Sequence, residues 1–411
     1  MINIQNIDEF IQKSEQKCQK QFEEIDKIAL YNQEKVLKAF QKNAVQARHF
    51  YGTTGYGYDD VGRDTLNRVF ADVFQCEDAI VSPMIMSGTH ALTLALFGIL
   101  RPGDTFLSIA GDLYDTLYDV IYGKNIGSLA DFNISFDKID LKNGAFDEEN
   151  IIKTIEKTRP KMVFIQRSRG YSWRDALSID AISDIIRKIR QKNKVAVDNC
   201  YGEFIDYLEP TNVGADLIVG SLIKNAGGGI APTGAYLAGK AEVIRQISYR
   251  FTSPSIGNEI GSYLGGYLPF YQGLFMAPIT VKNAVKGSIL FGQVYNDLGY
   301  ETLPNPGVKC NDIIRSIKFD TEDELVEFIR GVQASAPIDS NVVPYPWDMP
   351  GYNDQVIMAA GAFVQGSSIE LSADSPIRKP YVAYLQGSLT YEHAKIAVKQ
   401  TIEYLIKNAK K

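Results

Sequence analysis

A lysine at position 224 directly follows the apolar run of ADLIVGSLIKNAGGG and precedes Gly227, Gly228 and Gly229. Lysine at the end of a buried strand is rare unless it is paired or used. Such an amine is a candidate Schiff-base former, and the glycines let backbone pass close to a ligand. The plainer alternative is a solvent-facing lysine beside a glycine-rich turn. Upstream, VAVDN ends a second apolar run at Asp198. In an open α/β sheet both residues emerge at the edge where such folds bind ligands. An aspartate there could hold a protonated ring nitrogen, or simply cap a helix. In MSGTHALTLAL, Gly88 and Thr89 stand between a strand and a helix. Helix-start N–H groups plus a hydroxyl make a phosphate cradle, to which Ser221 could add a second hydroxyl; simple N-capping is the alternative. Tyr114, after the strand DTFLSIA, could stack on a planar cofactor and assist proton transfer, or pack like many of the 23 tyrosines.

Together these four signals run in the order phosphate loop, stacking aromatic, strand-end aspartate, strand-end lysine. That order fits pyridoxal 5'-phosphate (PLP), which needs a pyridine-nitrogen partner to act as an electron sink. The chain resembles fold type I PLP enzymes of the cystathionine/methionine γ-lyase group, in the aluminium resistance (YnbB-like) subgroup. The segments that carry the resemblance are YGYDDVGRDTLNRVFADVF, SGTHAL, YDTLYDVI, VDNCYGEF, GSLIKNAGGGIAPTGAY and SSIELSADSPIRKPYVAYLQGSLTYEHAK. It implies an α/β fold with a mostly parallel seven-stranded sheet, helices on both faces and a smaller C-terminal α+β domain. It also implies that Lys224 holds PLP covalently and then moves protons, and that Asp198 pairs with the pyridinium nitrogen. Tyr114 stacks on the ring, and Gly88, Thr89 and Ser221 bind the phosphate. Tyr58, with Tyr56 nearby, would complete the phosphate site from a neighbouring subunit, so a homodimer or homotetramer with shared active sites is expected.

Two departures limit what is transferred. The arginine that accompanies the tyrosine in the wider group is absent, and Asp59 and Asp60 stand there; Arg63 is the nearest candidate. The Arg-Leu-Ser segment that grips a substrate carboxylate reads Glu370-Leu371-Ser372 here. Arg378 could substitute through bidentate pairing, and Arg167, Arg169 and Arg174 are further candidates. The expected reaction is elimination from a sulfur-containing amino acid, of the cystathionine β-lyase or methionine γ-lyase type. Aminotransfer, racemisation and γ-replacement are alternatives, and so is a non-catalytic metal-tolerance role for carboxylates such as Asp59-Asp60. Cys200 reads as a small buried thiol.

The elements that must position these residues alternate. Helices are expected over residues 64–74, 89–100, 115–122, 148–158 and 180–193, and strands at AIVSP, DTFLSIA, KMVFIQ, KVAVDN, ADLIVGS and GAYLAG. Short apolar strands between helices imply a mostly parallel sheet covered on both faces. Residues 1–48 read as an amphipathic helical arm that packs on its own chain or on a partner subunit. Residues 49–295 form the large domain, closed by a helix over about 276–298. Residues 296–411 form an α+β domain with strands at DIIRSIKFD, VIMAAGAF, SSIELSA and YVAYLQ and helices at 322–335 and 390–407.

Composition excludes other classes. The 411 residues are 45% hydrophobic and 22% charged, ordinary for a soluble domain. A net charge of −6 leaves no footprint for nucleic acid or an anionic membrane. Four scattered cysteines do not make a disulfide scaffold, so a reducing cytoplasm is expected. MINIQNIDEF lacks signal-peptide features. Three histidines without HxxxH or HExxH spacing offer no zinc site, and no metal is expected.

Overall fold

The computed structural model describes residues 6–189, 193–349, 352 and 354–408. In chain order the first part comprises α1 (Ile7–Lys42), α2 (Val61–Val73), β1 (Asp78–Ser82), α3 (Gly88–Ile99), β2 (Thr105–Ser108), α4 (Tyr118–Tyr122), β3 (Ser135–Lys138), α5 (Glu148–Thr158), β4 (Met162–Gln166), α6 (Ile179–Ile189) and β5 (Lys194–Asp198). β6 (Leu217–Ser221), β7 (Ala235–Gly239), α7 (Ala241–Phe251) and α8 (Leu268–Asp297) follow. The strands form one seven-stranded sheet in the order β1-β7-β6-β5-β4-β2-β3. β7 runs antiparallel to both β1 and β6, and the other pairs are parallel. Six strands therefore point one way, and their C-terminal ends share one edge.

Strand alternation covers both faces. Val163 and Ile165 of β4 pack in a layer with Leu66 of α2, Ile185 of α6 and Val281 of α8. Met162 and Phe164 face the opposite layer, with Leu92 of α3 and Ile244 of α7. Both faces are apolar because both are buried, as a parallel sheet requires.

The C-terminal part comprises β8 (Glu301–Leu303), β9 (Arg315–Phe319), α9 (Glu322–Ala334), β10 (Val356–Ala359), β11 (Ser372–Pro376), β12 (Tyr381–Gln386) and α10 (Tyr391–Asn408). Its strands make an antiparallel sheet in the order β10-β11-β12-β9-β8. Phe291 and Tyr295 of α8 pack into its core with Phe328, Ile329, Leu371 and Val398, so α8 is shared between the two sheets.

Helix α1 is a single helix whose buried residues Ile11, Cys18, Phe22 and Val36 recur at helical spacing. It packs on its own chain. Ser14 and Lys17 donate to the Asp297 carboxylate at 2.7 and 2.8 Å. Tyr391 of α10 donates to Glu15 at 2.6 Å.

Several boundaries differ from the sequence reading. Residues 115–122 divide into a 3-10 turn (Asp115–Leu117) and the short α4. The expected strand SSIELSA lies later, at Ser372–Pro376. Ile369 and Leu371 are buried, but they precede the strand, and Glu370 is held in a turn. Its two carboxylate oxygens accept from the Phe363 and Val364 N–H groups at 2.8 and 2.9 Å. The expected helix 180–193 is seen to Ile189, and residues 190–192 lie outside the described residues. Among the described residues, no helix is long and apolar enough to cross a membrane.

Candidate active site

The shared strand edge collects the singled-out residues. Asp198 ends β5 and Ser221 ends β6, hydrogen-bonded neighbours in the sheet. Lys224 follows Ser221 as the first residue of a turn whose 3-10 segment is Asn225–Gly227. This turn is packed too closely for side chains. A Cβ on Gly227 would lie 1.6 Å from the Leu222 carbonyl oxygen. Gly228 has φ +59°, and its Cβ would lie 2.2 Å from the Gly273 carbonyl oxygen of α8. Gly228→Ala is therefore expected to destabilise the fold by about 1–3 kcal/mol, read as a lowered denaturant midpoint with unchanged slope.

Lys224 Nζ lies over the Tyr201 ring, 4.1 Å from its centroid. Tyr201 was not singled out from sequence, though it stands three residues after Asp198. Its φ of +70° is uncommon for a bulky residue. The left-handed backbone places the ring under the lysine. Burial opposes the Lys224 ammonium, yet the acidic groups of Cys200, Tyr201 and Asp198 outweigh it and hold its pKa above the ordinary lysine value. Burial pushes the Cys200 thiol and the Tyr201 phenol up, away from neutrality. Burial also raises the Asp198 carboxyl, against the Lys224 charge and the Cys200 N–H, which donates to it at 3.1 Å. A thiol held neutral in this way is a packing group, in line with the sequence reading of Cys200.

Gly88 opens α3, with Ser87 as its N-cap accepting from the His90 N–H at 3.1 Å. The Gly88 and Thr89 N–H groups precede the first intrahelical bonds and so remain free to meet an anion. A Cβ at Gly88 would stand 3.7 Å from Ser221 Cβ and 3.8 Å from Cys200 Sγ. The α3 start, the β6 end and the turn after β5 thus converge. The Thr89 hydroxyl is 2.8 Å from the Thr116 hydroxyl, which ties this cradle to the turn that carries Tyr114. The Tyr114 hydroxyl is 2.9 Å from that of Tyr352. Burial raises the Tyr114 phenol, and Tyr201, Tyr352 and Asp374 add to the shift. A free N–H cradle with two hydroxyls, a strand-end carboxylate, a lysine and a flanking phenol have the chemistry to hold PLP.

Other candidates lie apart or are already engaged. Tyr56 and Tyr58 are exposed on the loop before α2, their rings 5.6 Å apart. Arg63 is turned inward, donating to the Gly57 and Gly261 carbonyls and to Asp64. Asp60 caps α2 through the Gly62 and Arg63 N–H groups and accepts from Tyr267. Among the described residues, no group of three or more potential metal ligands is present. Arg167 is buried and donates to Asn199 and to the Leu177 and Gly202 carbonyls. Arg174 donates to the Ser168 and Asp175 carbonyls. Arg169 is buried between the sheets, its Nε and Nη2 donating to Asp312 at 3.2 and 2.9 Å and its Nη1 to the Leu303 carbonyl at 2.9 Å. Arg378 differs from these three. It lines a cavity of about 540 Å³ with Asp115, Thr116, Tyr171, Tyr352 and Asp354, and donates to Asp354 at 2.8 Å. Through Thr116 and Tyr352 this cavity adjoins Thr89 and Tyr114.

Comparison with known proteins shows the family. The family model described as methionine gamma-lyase matches residues 7–406. The "Uncharacterized protein YnbB" of Bacillus subtilis is 48% identical over 390 residues, 93% of this chain and 92% of that protein. A solved structure described as a carbon-sulfur lyase involved in aluminum resistance, from Clostridium novyi NT, superposes with a TM-score of 0.92. It is 50% identical, with 96% of this chain and 95% of that chain covered. The PLP-dependent protein YhfS of Escherichia coli shares the fold at 16% identity and a TM-score of 0.62, over 93% and 97% of the two chains.

Proposed function

Because the chain belongs to the methionine gamma-lyase family, a family of PLP-dependent lyases, we propose that it eliminates a thiol from a sulfur-containing amino acid, by cystathionine β-lyase or methionine γ-lyase chemistry. One observation carries this reading: the Lys224 amine over Tyr201 at the end of β6, beside the Asp198 carboxylate at the end of β5. PLP, when bound, supplies an aldehyde for amines and an electron sink for a carbanion. The protein supplies the rest. Lys224 would hold the cofactor and would take the substrate's α-proton at Nζ. Asp198 would pair with the ring nitrogen. Gly88, Thr89 and Ser221 would bind the phosphate, and Tyr114 would stack on the ring and move a proton.

The visible spectrum tests the cofactor. A yellow band bleached by borohydride, with the label mapped to Lys224, is the expected result. No band after PLP is added would overturn the proposal. Product analysis then separates the reactions: pyruvate with ammonia marks β-elimination, and 2-oxobutyrate with ammonia marks γ-elimination. A transaminated or racemised product would replace the lyase assignment.

Arg378 takes the substrate carboxylate at the mouth of the cavity. Arg378→Ala is expected to raise KM about tenfold, equivalent to about 1.4 kcal/mol, with kcat little changed. Its exposed pair with Asp354 contributes under about 1 kcal/mol to stability, so the unfolding midpoint should barely move. An unchanged KM would remove Arg378 from the site. Two copies form the working unit, with Tyr56 and Tyr58 of each reaching the other's phosphate site. The support is their exposure as an aromatic pair.

A further inference from the structure

We propose that Tyr201 is a positioning residue for Lys224: its ring face fixes where the free amine rests and stabilises the charge that the amine gains on taking the substrate's α-proton. The inference rests on the reading of Lys224 as the residue that holds the cofactor and moves that proton.

The contact is geometric. Lys224 Nζ lies over the ring, 4.1 Å from its centroid, well inside the roughly 6 Å over which an aromatic face attracts a cation. Lys35, Arg250, Lys286 and Lys318 also sit over rings, at 5.6, 5.2, 5.3 and 5.8 Å. Lys224 approaches more closely than any of these.

The chain around Tyr201 holds the ring in place. Its φ of +70° is a conformation that a bulky residue keeps only where its surroundings over-determine it, and such residues cluster at functional sites. Arg167 supplies the constraint. Its buried Nη1 donates to Asn199 Oδ1 and to the Gly202 carbonyl, each at 2.8 Å, so it grips the chain on both sides of Tyr201. The Gly202 N–H donates to the Asn199 carbonyl at 2.9 Å and closes the turn. The Tyr201 side chain packs against the cluster of Ile314, Val382 and Tyr384. Backbone after β5 and side chains of the C-terminal sheet therefore fix the ring together.

The chemistry follows from that placement. When Nζ takes the α-proton, the substrate's C–H bond breaks and its electron pair stays with the substrate. An N–H bond forms on the lysine, and Nζ passes from neutral to positive. A ring face attracts the ammonium far more than the amine, so it favours the transition state over the ground state. Burial holds the Tyr201 phenol neutral, so the attraction comes from the ring and not from a phenolate.

The position and the energy can be read separately. Reductive methylation of the cofactor-free protein with isotope-labelled formaldehyde marks the Lys224 amine for NMR, and the signal is identified by its loss in Lys224→Arg. The ring current should carry this signal upfield in the wild type and in Tyr201→Phe. In Tyr201→Leu it should return to the position of exposed lysines. In the loaded enzyme Tyr201→Leu is expected to lower kcat about tenfold, the size of one desolvated cation–π contact, with KM little changed. Tyr201→Phe keeps the ring face and should retain kcat within about twofold. Equal losses in Tyr201→Phe and Tyr201→Leu would assign the role to the hydroxyl and overturn the inference, as would an unshifted methyl signal in the wild type. If Tyr201→Leu does not fold, Tyr201→pentafluorophenylalanine keeps the shape and withdraws the negative face, and wild-type kcat in that variant overturns the inference. A loaded Tyr201→Leu enzyme that turns over normally overturns this inference alone. A wild type that forms no cofactor band overturns the proposed function, and this inference with it.

Discussion

Lys224→Ala is expected to abolish the covalent attachment of PLP that borohydride fixes by reduction and to lower kcat by on the order of 10⁴-fold, the upper range for losing a positioned general base. The cofactor should still bind, more weakly, because Gly88, Thr89, Ser221 and Asp198 are untouched. The absorption maximum should move to that of a free or amine-exchanged cofactor. The electrostatics predict a second effect. The Lys224 charge lowers the Asp198 pKa against burial, so the variant should leave Asp198 harder to ionise. PLP affinity should then fall more steeply as pH drops. Full turnover by Lys224→Ala would sink the mechanism, whatever its spectrum. Lys224→Arg is the control for charge without a usable amine, and it should be as inactive while keeping more of the Asp198 effect.

The second large effect is on stability. Asp312→Ala should cost about 3–5 kcal/mol, because it leaves the Arg169 guanidinium buried without its counter-charge. The pair is bidentate and enclosed between the two sheets. Arg169 also donates to the Leu303 carbonyl and the Ser316 hydroxyl, so it ties the loop after β4 to β8 and β9. Denaturant unfolding followed by tryptophan fluorescence measures the loss. Trp173 lies four residues from Arg169, and Tyr201 of the site packs in the same cluster. The double variant Arg169→Met/Asp312→Leu should recover much of the loss, since replacing both charges removes the unpaired ion. A loss under about 1 kcal/mol in Asp312→Ala would mean that water reaches the guanidinium.

The large sheet was legible because its parallel strands are buried on both faces and so read as short apolar runs. Strands without that burial were not. Three of the four residues of β3 are exposed, and β8 is three residues long. The strand near SSIELSA was misplaced because Ile369 and Leu371 mimic alternation while packing in a turn. The real β11, SADSP, is held by its partners rather than by its own apolar pattern. Within the site, Lys224, Asp198, Ser221 and Gly88 could be found because each stands where an apolar run ends. Tyr201 had a usable signal, its nearness to Asp198. Tyr352 had none. It comes from the C-terminal part of the chain, more than a hundred residues downstream, and only the tertiary fold sets it opposite Tyr114. The three arginines of QRSRGYSWR show the reverse case. Their charge suggested a substrate site, but each is already engaged, by backbone carbonyls, Asn199 or Asp312.

The long first helix has a consequence for biosynthesis. Its buried face rests on α8, and its polar face is tied to the last helix through Asp8–Lys399, Glu15–Tyr391 and Glu15–Lys395. At about 5–20 residues per second, roughly 20–80 s separate the emergence of these two ends from the ribosome. Until α8 is made, Ile11, Cys18 and Phe22 have no native surface to cover them. Over that part of the interval the nascent chain carries an apolar amphipathic helix open to a holdase chaperone. α10 then adds the polar ties, so removing α10 should loosen α1 while α8 still covers its apolar face.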